Sequence, residues 1–330
     1  MNNSSSSAGN GATTRASGLT ILLAFLAVYI IWGTTYLAIR YGLLGMKPFV
    51  LMSLRYVFAA AILFAWCRIA KLPFPTWQNA KVLGVSGLLL LVGGIGSVVL
   101  GEQYINSGNT AVIIATSPLL FLLLDRKNWK SYTPAKLGGL LLGFAGVFIF
   151  SRFAAGASIA DTAAHRWDTL KGTGLVLLST IFWVSGTLYA RKQKDNTASP
   201  VANAAVQHAA AAIASLVVVI ANGDLQTFYP QRVPAAAWGG LAYLVIMGSL
   251  VAFIAFMFLI KVQPPAIVST YTYVNPIVAV VAGWIIAGEA ISLPQVFALV
   301  MVLVGVLLVQ APRGITLFTR ARQPRCEAGS

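Results

Sequence analysis

The stretch Leu19 to Leu44, LTILLAFLAVYIIWGTTYLAIRYGLL, decides the class of this protein. It contains one charged residue, Arg40, and no proline. A helix needs about 20 mostly apolar residues to cross a bilayer, and this run supplies them. It is too long for the apolar core of a signal peptide, and no clean small-residue cleavage site closes it. The segment therefore reads as a first spanning helix. Ahead of it, residues 1–18 are mostly Ser, Asn, Gly, Ala and Thr with a single Arg15. Such a segment cannot bury enough apolar surface to fold and is expected to form a disordered tail.

Working outward, nine more runs of this kind follow, which gives ten predicted spans: roughly 19–44, 48–70, 80–103, 107–124, 134–152, 172–191, 201–222, 236–260, 264–287 and 294–311. Their boundaries carry loop chemistry, with Lys47-Pro48, Lys71-Leu72-Pro73, Thr133-Pro134, Ser199-Pro200, Gln263-Pro264 and Leu293-Pro294. Proline suits the first turn of a helix, where its missing N–H costs nothing. Barrel strands are excluded, because the runs are too long and lack strict alternation.

Composition agrees. Of 330 residues, 58% are hydrophobic and only 9% charged, against about 25% charged in soluble domains. The net charge of +15 could suggest nucleic acid, but no nucleic-acid-binding motif accompanies it. Cytoplasmic loops that collect Lys and Arg explain it better. With the N-terminus inside, 16 of the 23 Lys and Arg residues fall on the cytoplasmic side and 6 on the other, with Arg55 inside a helix. Both termini are therefore expected in the cytoplasm of a cell whose inner (plasma) membrane holds the chain. Cys67 and Cys326 are far apart and unpatterned, which argues against a disulfide framework or a cysteine-based metal site.

Matched features recur in order. Gly33-Thr34-Thr35-Tyr36, preceded by Trp32, returns as Gly186-Thr187-Leu188-Tyr189 near Trp183, an offset of 153. Pro48 with Arg55 seven residues on returns as Pro200 with Gln207 seven residues on, an offset of 152. Pro118 and Pro276 lie 158 apart. These point to a duplication into 19–152 and 172–311, joined by an extracytoplasmic linker at 153–171 and followed by a basic cytoplasmic tail at 312–330. Five helices per half is odd, so the second half enters from the opposite side. The expected fold is an all-α membrane protein of ten transmembrane helices in two inverted five-helix repeats, an arrangement associated with alternating access.

Polar groups inside the spans mark candidate function. Arg55 lies about 10 Å into its helix at 1.5 Å per residue, where a charge is costly and normally faces a polar interior; the alternative is snorkelling to the surface. Tyr271 and Asn275 are four apart and share a face, next to the helix-interrupting Pro276. Thr116-Ser117-Pro118 repeats that combination on a smaller scale. Trp32, Tyr36, Trp183 and Gln207 complete the expected substrate-binding set, although the aromatic residues could equally anchor the chain at the membrane interface. Glu102 and His208 are the candidates for proton coupling, against the alternatives of a solvated carboxylate and a histidine hydrogen-bonded within the bundle. Gly139, Gly143, Gly146 and Gly305, and the cluster Gly93, Gly94, Gly96 and Gly101, are assigned to close helix packing. No strand precedes any of them, so none forms a nucleotide loop. The eight acids are scattered without metal-ligand spacing, which disfavours a membrane enzyme.

The residues that carry a family resemblance are Ile31-Trp32-Gly33-Thr34-Thr35-Tyr36, Ser53-Leu54-Arg55-Tyr56, Gly101-Glu102-Gln103, the glycine run from Leu137 to Val147, Ser269 to Pro276, and Gly288-Glu289. The chain resembles the drug/metabolite transporter superfamily, in particular the EamA family, over nearly all of 19–311. That resemblance implies ten helices, inverted repeats, no cofactor, and export of amino acids, other metabolites or drugs. The chain departs from the pattern in lacking a Gly-Glu after Pro118 and in having Gln207 opposite Arg55. The expected function is a secondary transporter for a small-molecule substrate in a lipid bilayer, with protons as candidate coupling ion and no nucleic acid. A lipid flippase of the same fold is the alternative, since fold does not fix function.

Overall fold

The computed structural model describes residues 17–117, 120, 134–153, 163–190, 192–193, 198–263, 268 and 270–310. The expected disordered tail up to residue 16, Pro118, the charged stretch Asp125-Arg126-Lys127, residues 154–162 of the linker and the basic tail lie outside these residues. Among the described residues the chain is helical, with no strand.

Helix α1 spans Gly18–Gly42, and Ser17 caps it by accepting from the Thr20 N–H at 3.1 Å. Helix α2 spans Pro48–Ile69, with Pro48 in its first turn. Helix α3 runs over Trp77–Gly101, α-helical at both ends and π-helical from Leu88 to Ile95. Helix α4 covers Ser107–Ile114 behind an Asn106 cap, and α5 covers Pro134–Arg152. Helix α6, Ala163–Ala190, begins before the start expected at 172. Helix α7 is Pro200–Ala221, capped by Ser199 and opened by its proline. Helix α8 comprises Ala235–Tyr243, a π-helical stretch Leu244–Ala252, and Phe253–Val262. Helices α9 and α10 are Tyr271–Ala287 and Leu293–Gln310. Among the described residues six helices, α1, α2, α3, α6, α7 and α8, contain segments long and apolar enough to cross a membrane; α5, α9 and α10 contain shorter apolar segments.

Helix α2 packs along α7, and α5 along α10. Helix α1 packs on α9 and α8, while α6 packs on α4 and α3. Helix α2 also meets the π-helical part of α8, as α7 meets that of α3. Each of these adjacencies has its counterpart when α1–α5 are exchanged with α6–α10. Small residues set the closest approaches, as the glycine pattern anticipates. A Cβ on Gly305 would meet the Gly139 carbonyl at 2.6 Å and the Gly143 nitrogen at 2.7 Å, so the backbones of α5 and α10 touch. One on Gly33 would meet Val278 at 2.6 Å, which seats α1 on α9. Lipid contributes little driving force between apolar helices, so such backbone contact carries much of the association. The rim exposes Leu22, Leu26 and Ile30 on α1 and Phe297 and Val300 on α10, a surface suited to acyl chains.

Candidate functional site

The centre of the bundle holds a cavity of about 90 Å³. Trp32 and Tyr36 reach it from α1, Arg55 from α2, Trp183 from α6, His208 from α7, and Tyr271 and Asn275 from α9. Both π-helical stretches form part of its wall, through Leu91, Gly94 and Ile95 in α3 and through Gly248 and Ser249 in α8. Inserting an extra residue per turn breaks the regular ladder and often accompanies functional sites.

The aromatic side is a set of edge-to-face contacts. Trp32 meets Trp183 at 5.9 Å and 89°, and Tyr271 at 5.3 Å and 83°. Its ring also lies 4.8 Å from Phe256. Such geometry follows from the ring quadrupole and fixes a rigid apolar wall. Asn275 holds that wall to α1. With its amide nitrogen turned to the carbonyls, it donates to Tyr29 O at 3.1 Å and to Tyr271 O at 3.2 Å.

The polar side centres on Arg55, which is 5% exposed. Its Nε donates to Ser249 Oγ at 2.9 Å, and among the described residues no carboxylate pairs with it. Gly248 leaves room for the guanidinium, since a Cβ there would lie 3.3 Å from Nη2. His208 sits between Tyr56 and Phe253, edge-on to both. Its Nδ1 donates to Ala204 O at 2.9 Å, so in the neutral ring Nε2 is an acceptor, and that atom is buried with no partner among the described residues. Tyr56 is fully buried and donates to Leu91 O at 2.8 Å, tying α2 to the π-helical part of α3.

Two of the residues singled out in the sequence do not line the cavity. Gln207 is buried between α7 and α3, where its Nε2 donates to Ser86 Oγ at 2.9 Å. Gly87 lies against it so closely that a Cβ would meet the Gln207 carbonyl oxygen at 2.7 Å. Glu102 lies beyond Tyr36, toward the end of the bundle where α1 and α9 finish. It is 6% exposed, and neither carboxylate oxygen accepts a hydrogen bond among the described residues. The Thr110 hydroxyl stands beside it but donates to Asn106 O at 3.1 Å. Glu289 is close by, paired with Arg40 and accepting from Ser107 Oγ at 2.8 Å. Gly288 makes this possible: at φ 63° it ends α9 in the left-handed conformation, which a glycine adopts without steric cost, and turns Glu289 back toward α4. At the loop before α2, Lys47 donates to Asp224 at 2.9 Å, so two ion pairs join the segments at this end.

Gly94, Gly248 and Ser249 complete the cavity without having been expected there. Gly94 was assigned to packing, and the available signal was the recurrence of Gly93-Gly94 as Gly248-Ser249 within the paired π-helical stretches.

The EamA-like transporter family matches residues 19–152 and again 170–311. The uncharacterized inner membrane transporter YedA of Escherichia coli K12 is 31% identical over 289 residues, 87% of this chain and 89% of the relative. An uncharacterized transporter of Archaeoglobus fulgidus is 24% identical and covered over 99% of its length, with 89% of this chain aligned. YvbV, an uncharacterized transporter of Bacillus subtilis, is 26% identical across 88% of this chain and 90% of its own. A crystal structure of a chain 18% identical superposes with a TM-score of 0.62, covering 89% of this chain and 99% of that one, a likeness of fold.

Proposed function

The chain belongs to the EamA-like transporter family and is a multi-pass membrane transporter, and from that premise we propose that it exports a small organic metabolite by alternating access across the inner membrane. The observation that carries this reading is a central cavity with a rigid aromatic wall on one side and, on the other, the buried Arg55, which has no carboxylate partner among the described residues. A charge placed there is costly unless it meets solvent or an anionic guest. A wall of this mixed chemistry favours a solute over an acyl chain, and so favours a solute carrier over a lipid flippase.

The proposed architecture is ten spans in two inverted five-helix repeats with both termini cytoplasmic. Three things support it: the twofold family match, the exchange symmetry of the helix contacts, and the π-helical stretches that start at Leu88 and Leu244, 156 positions apart. The proposed binding residues are Trp32, Tyr36, Arg55, Trp183, Tyr271 and Asn275, with Ser249 orienting Arg55. Gln207, first placed in that set, is assigned instead to the α3–α7 contact. Glu102 and His208 remain the proposed proton carriers, because both are buried titratable groups beside the cavity or just beyond it.

The test is a radiolabelled flux screen in proteoliposomes against amino acids, organic acids, nucleosides and cationic drugs, with and without a pH gradient. The reading expects a substrate whose flux requires Arg55 and whose accumulation follows the gradient. If accumulation and its pH dependence survive in the Glu102→Gln, His208→Gln double variant, neither residue couples protons.

A further inference from the structure

We propose that the cavity selects an organic monoanion with an aromatic body, whose carboxylate meets Arg55 and whose neighbouring hydroxyl donates to His208, and that it discriminates against molecules bearing an ammonium group. This rests on reading the cavity as the substrate site. Arg55 has five N–H donors; the described residues occupy only Nε, through Ser249. Its terminal nitrogens lie where Gly248 has opened the wall. A guanidinium fork of this kind matches the two oxygens of a carboxylate.

Charge balance argues against a zwitterion. Among the described residues, none of those that line the cavity is acidic. Glu102 stands behind Tyr36 and outside the lining, in the company of Glu289 and Arg40. A monoanion neutralises the single buried charge, a zwitterion leaves it uncompensated, and an amine adds a second cation in a poorly screened space. The neutral His208 ring supplies the second requirement. Its Nε2 is a buried acceptor with no partner among the described residues, on a residue that lines the cavity, and a buried acceptor left unmade is costly enough to select for a donor on the guest. Trp32, Trp183 and Tyr271 then take the flat apolar body.

The test is isothermal titration of the full chain in lipid nanodiscs with four probes sharing one phenyl body: 3-phenyllactate, 3-phenylpropionate, phenylalanine and 2-phenylethylamine. The proposal expects 3-phenyllactate to bind tightest. The acid lacking the hydroxyl should be weaker by about three- to tenfold, the range of one lost hydrogen bond, and that gap should close in His208→Phe, whose ring offers no acceptor. Phenylalanine should be weaker than phenyllactate by at least about tenfold, equivalent to about 1.4 kcal/mol, and 2-phenylethylamine should not bind. Arg55→Gln should remove the preference for the anions; should that variant fail to fold, the wild-type ranking still decides. Equal binding of phenylalanine and phenyllactate, both lost in Arg55→Gln, overturns the monoanion class and leaves the site in place. Probe binding that is indifferent to both Arg55→Gln and Trp183→Ala overturns the site as well. The absence of binding by all four, in protein that transports some other substrate, also overturns the class.

Discussion

Gly248 offers a perturbation whose size can be worked out from the structure. A Cβ at this position would stand 3.3 Å from Arg55 Nη2 and 3.2 Å from Thr35 Cγ2. Comfortable separations between such atoms are about 3.5–4.0 Å, so the alanine variant needs its neighbours to give by roughly 0.3–0.5 Å. Thr35 is poorly placed to do so. It is β-branched, hence stiff at χ1, and its hydroxyl is tied to Trp32 O at 2.7 Å. The far end of the Arg55 side chain moves instead, stretching its 2.9 Å bond to Ser249. A hydrogen bond to a charged group contributes about 1.5–3 kcal/mol. Weakening it by about 1 kcal/mol corresponds to about a fivefold change in an equilibrium. Gly248→Ala should therefore raise KM about fivefold with little loss of folded protein. Gly248→Val adds two more methyl groups to the same gap and should abolish transport. The assay is initial-rate flux in proteoliposomes, with the thermal midpoint of each purified variant measured in parallel to separate folding from function. A Gly248→Val protein that transports with wild-type KM would refute the reasoning, because Arg55 would then not be held where substrate meets it.

Removing the cation of the ion pair at the Glu289 end, in Arg40→Gln, should cost only about 0.2–1 kcal/mol of stability, since Arg40 is half-exposed. It should nevertheless raise the labelling of a cysteine placed at Thr110 by an impermeant reagent; unchanged labelling would show that this pair does not hold that end closed. Gln207→Leu should lower the thermal midpoint slightly, because one interhelical hydrogen bond in a membrane protein is worth about 0.6 kcal/mol, while leaving KM unaltered; a large KM change would return Gln207 to the site. A cysteine at Ser330 should react with impermeant reagents only after the membrane is opened, and labelling in intact cells would reverse the proposed orientation.

Much of this arrangement was legible in the sequence because lipid is an exacting solvent. Arg55, Asn275 and His208 are too polar to face acyl chains, so their burial toward a central cavity follows from cost alone. Tyr271 and Asn275, and likewise Trp32 and Tyr36, are one helical turn apart, which places each pair on one face before any packing is known. Gln207 misled for a specific reason. Its register matches that of Arg55 within the repeat, but Gly87 lets α3 approach so closely that the amide is trapped between two helices. Gly248 and Gly94 left only the recurrence of Gly93-Gly94 as Gly248-Ser249 in the sequence: a glycine that makes room for a guanidinium or an indole shows that role only when the neighbouring helix is in place. The π-helical stretches leave no mark in the hydrophobic pattern, since both halves of α3 and α8 are apolar throughout. Glu289 was recognisable as part of a Gly-Glu motif, but its partner Arg40 lies 249 residues away, beyond the reach of local pattern.

Substrate protection of a cysteine inside the cavity tests the central claim most directly. Ser179 lines the cavity, and among the described residues its hydroxyl bonds only within its own helix, to Val176 O at 2.6 Å, so Ser179→Cys in a Cys67→Ser, Cys326→Ser background changes little besides the reporter. The rate of its modification by a small methanethiosulfonate should fall as transported substrate is added, with a half-maximal effect near the KM of that variant. A rate that stays constant at saturating substrate, in a variant that still transports, would contradict the account and place the substrate elsewhere in the bundle.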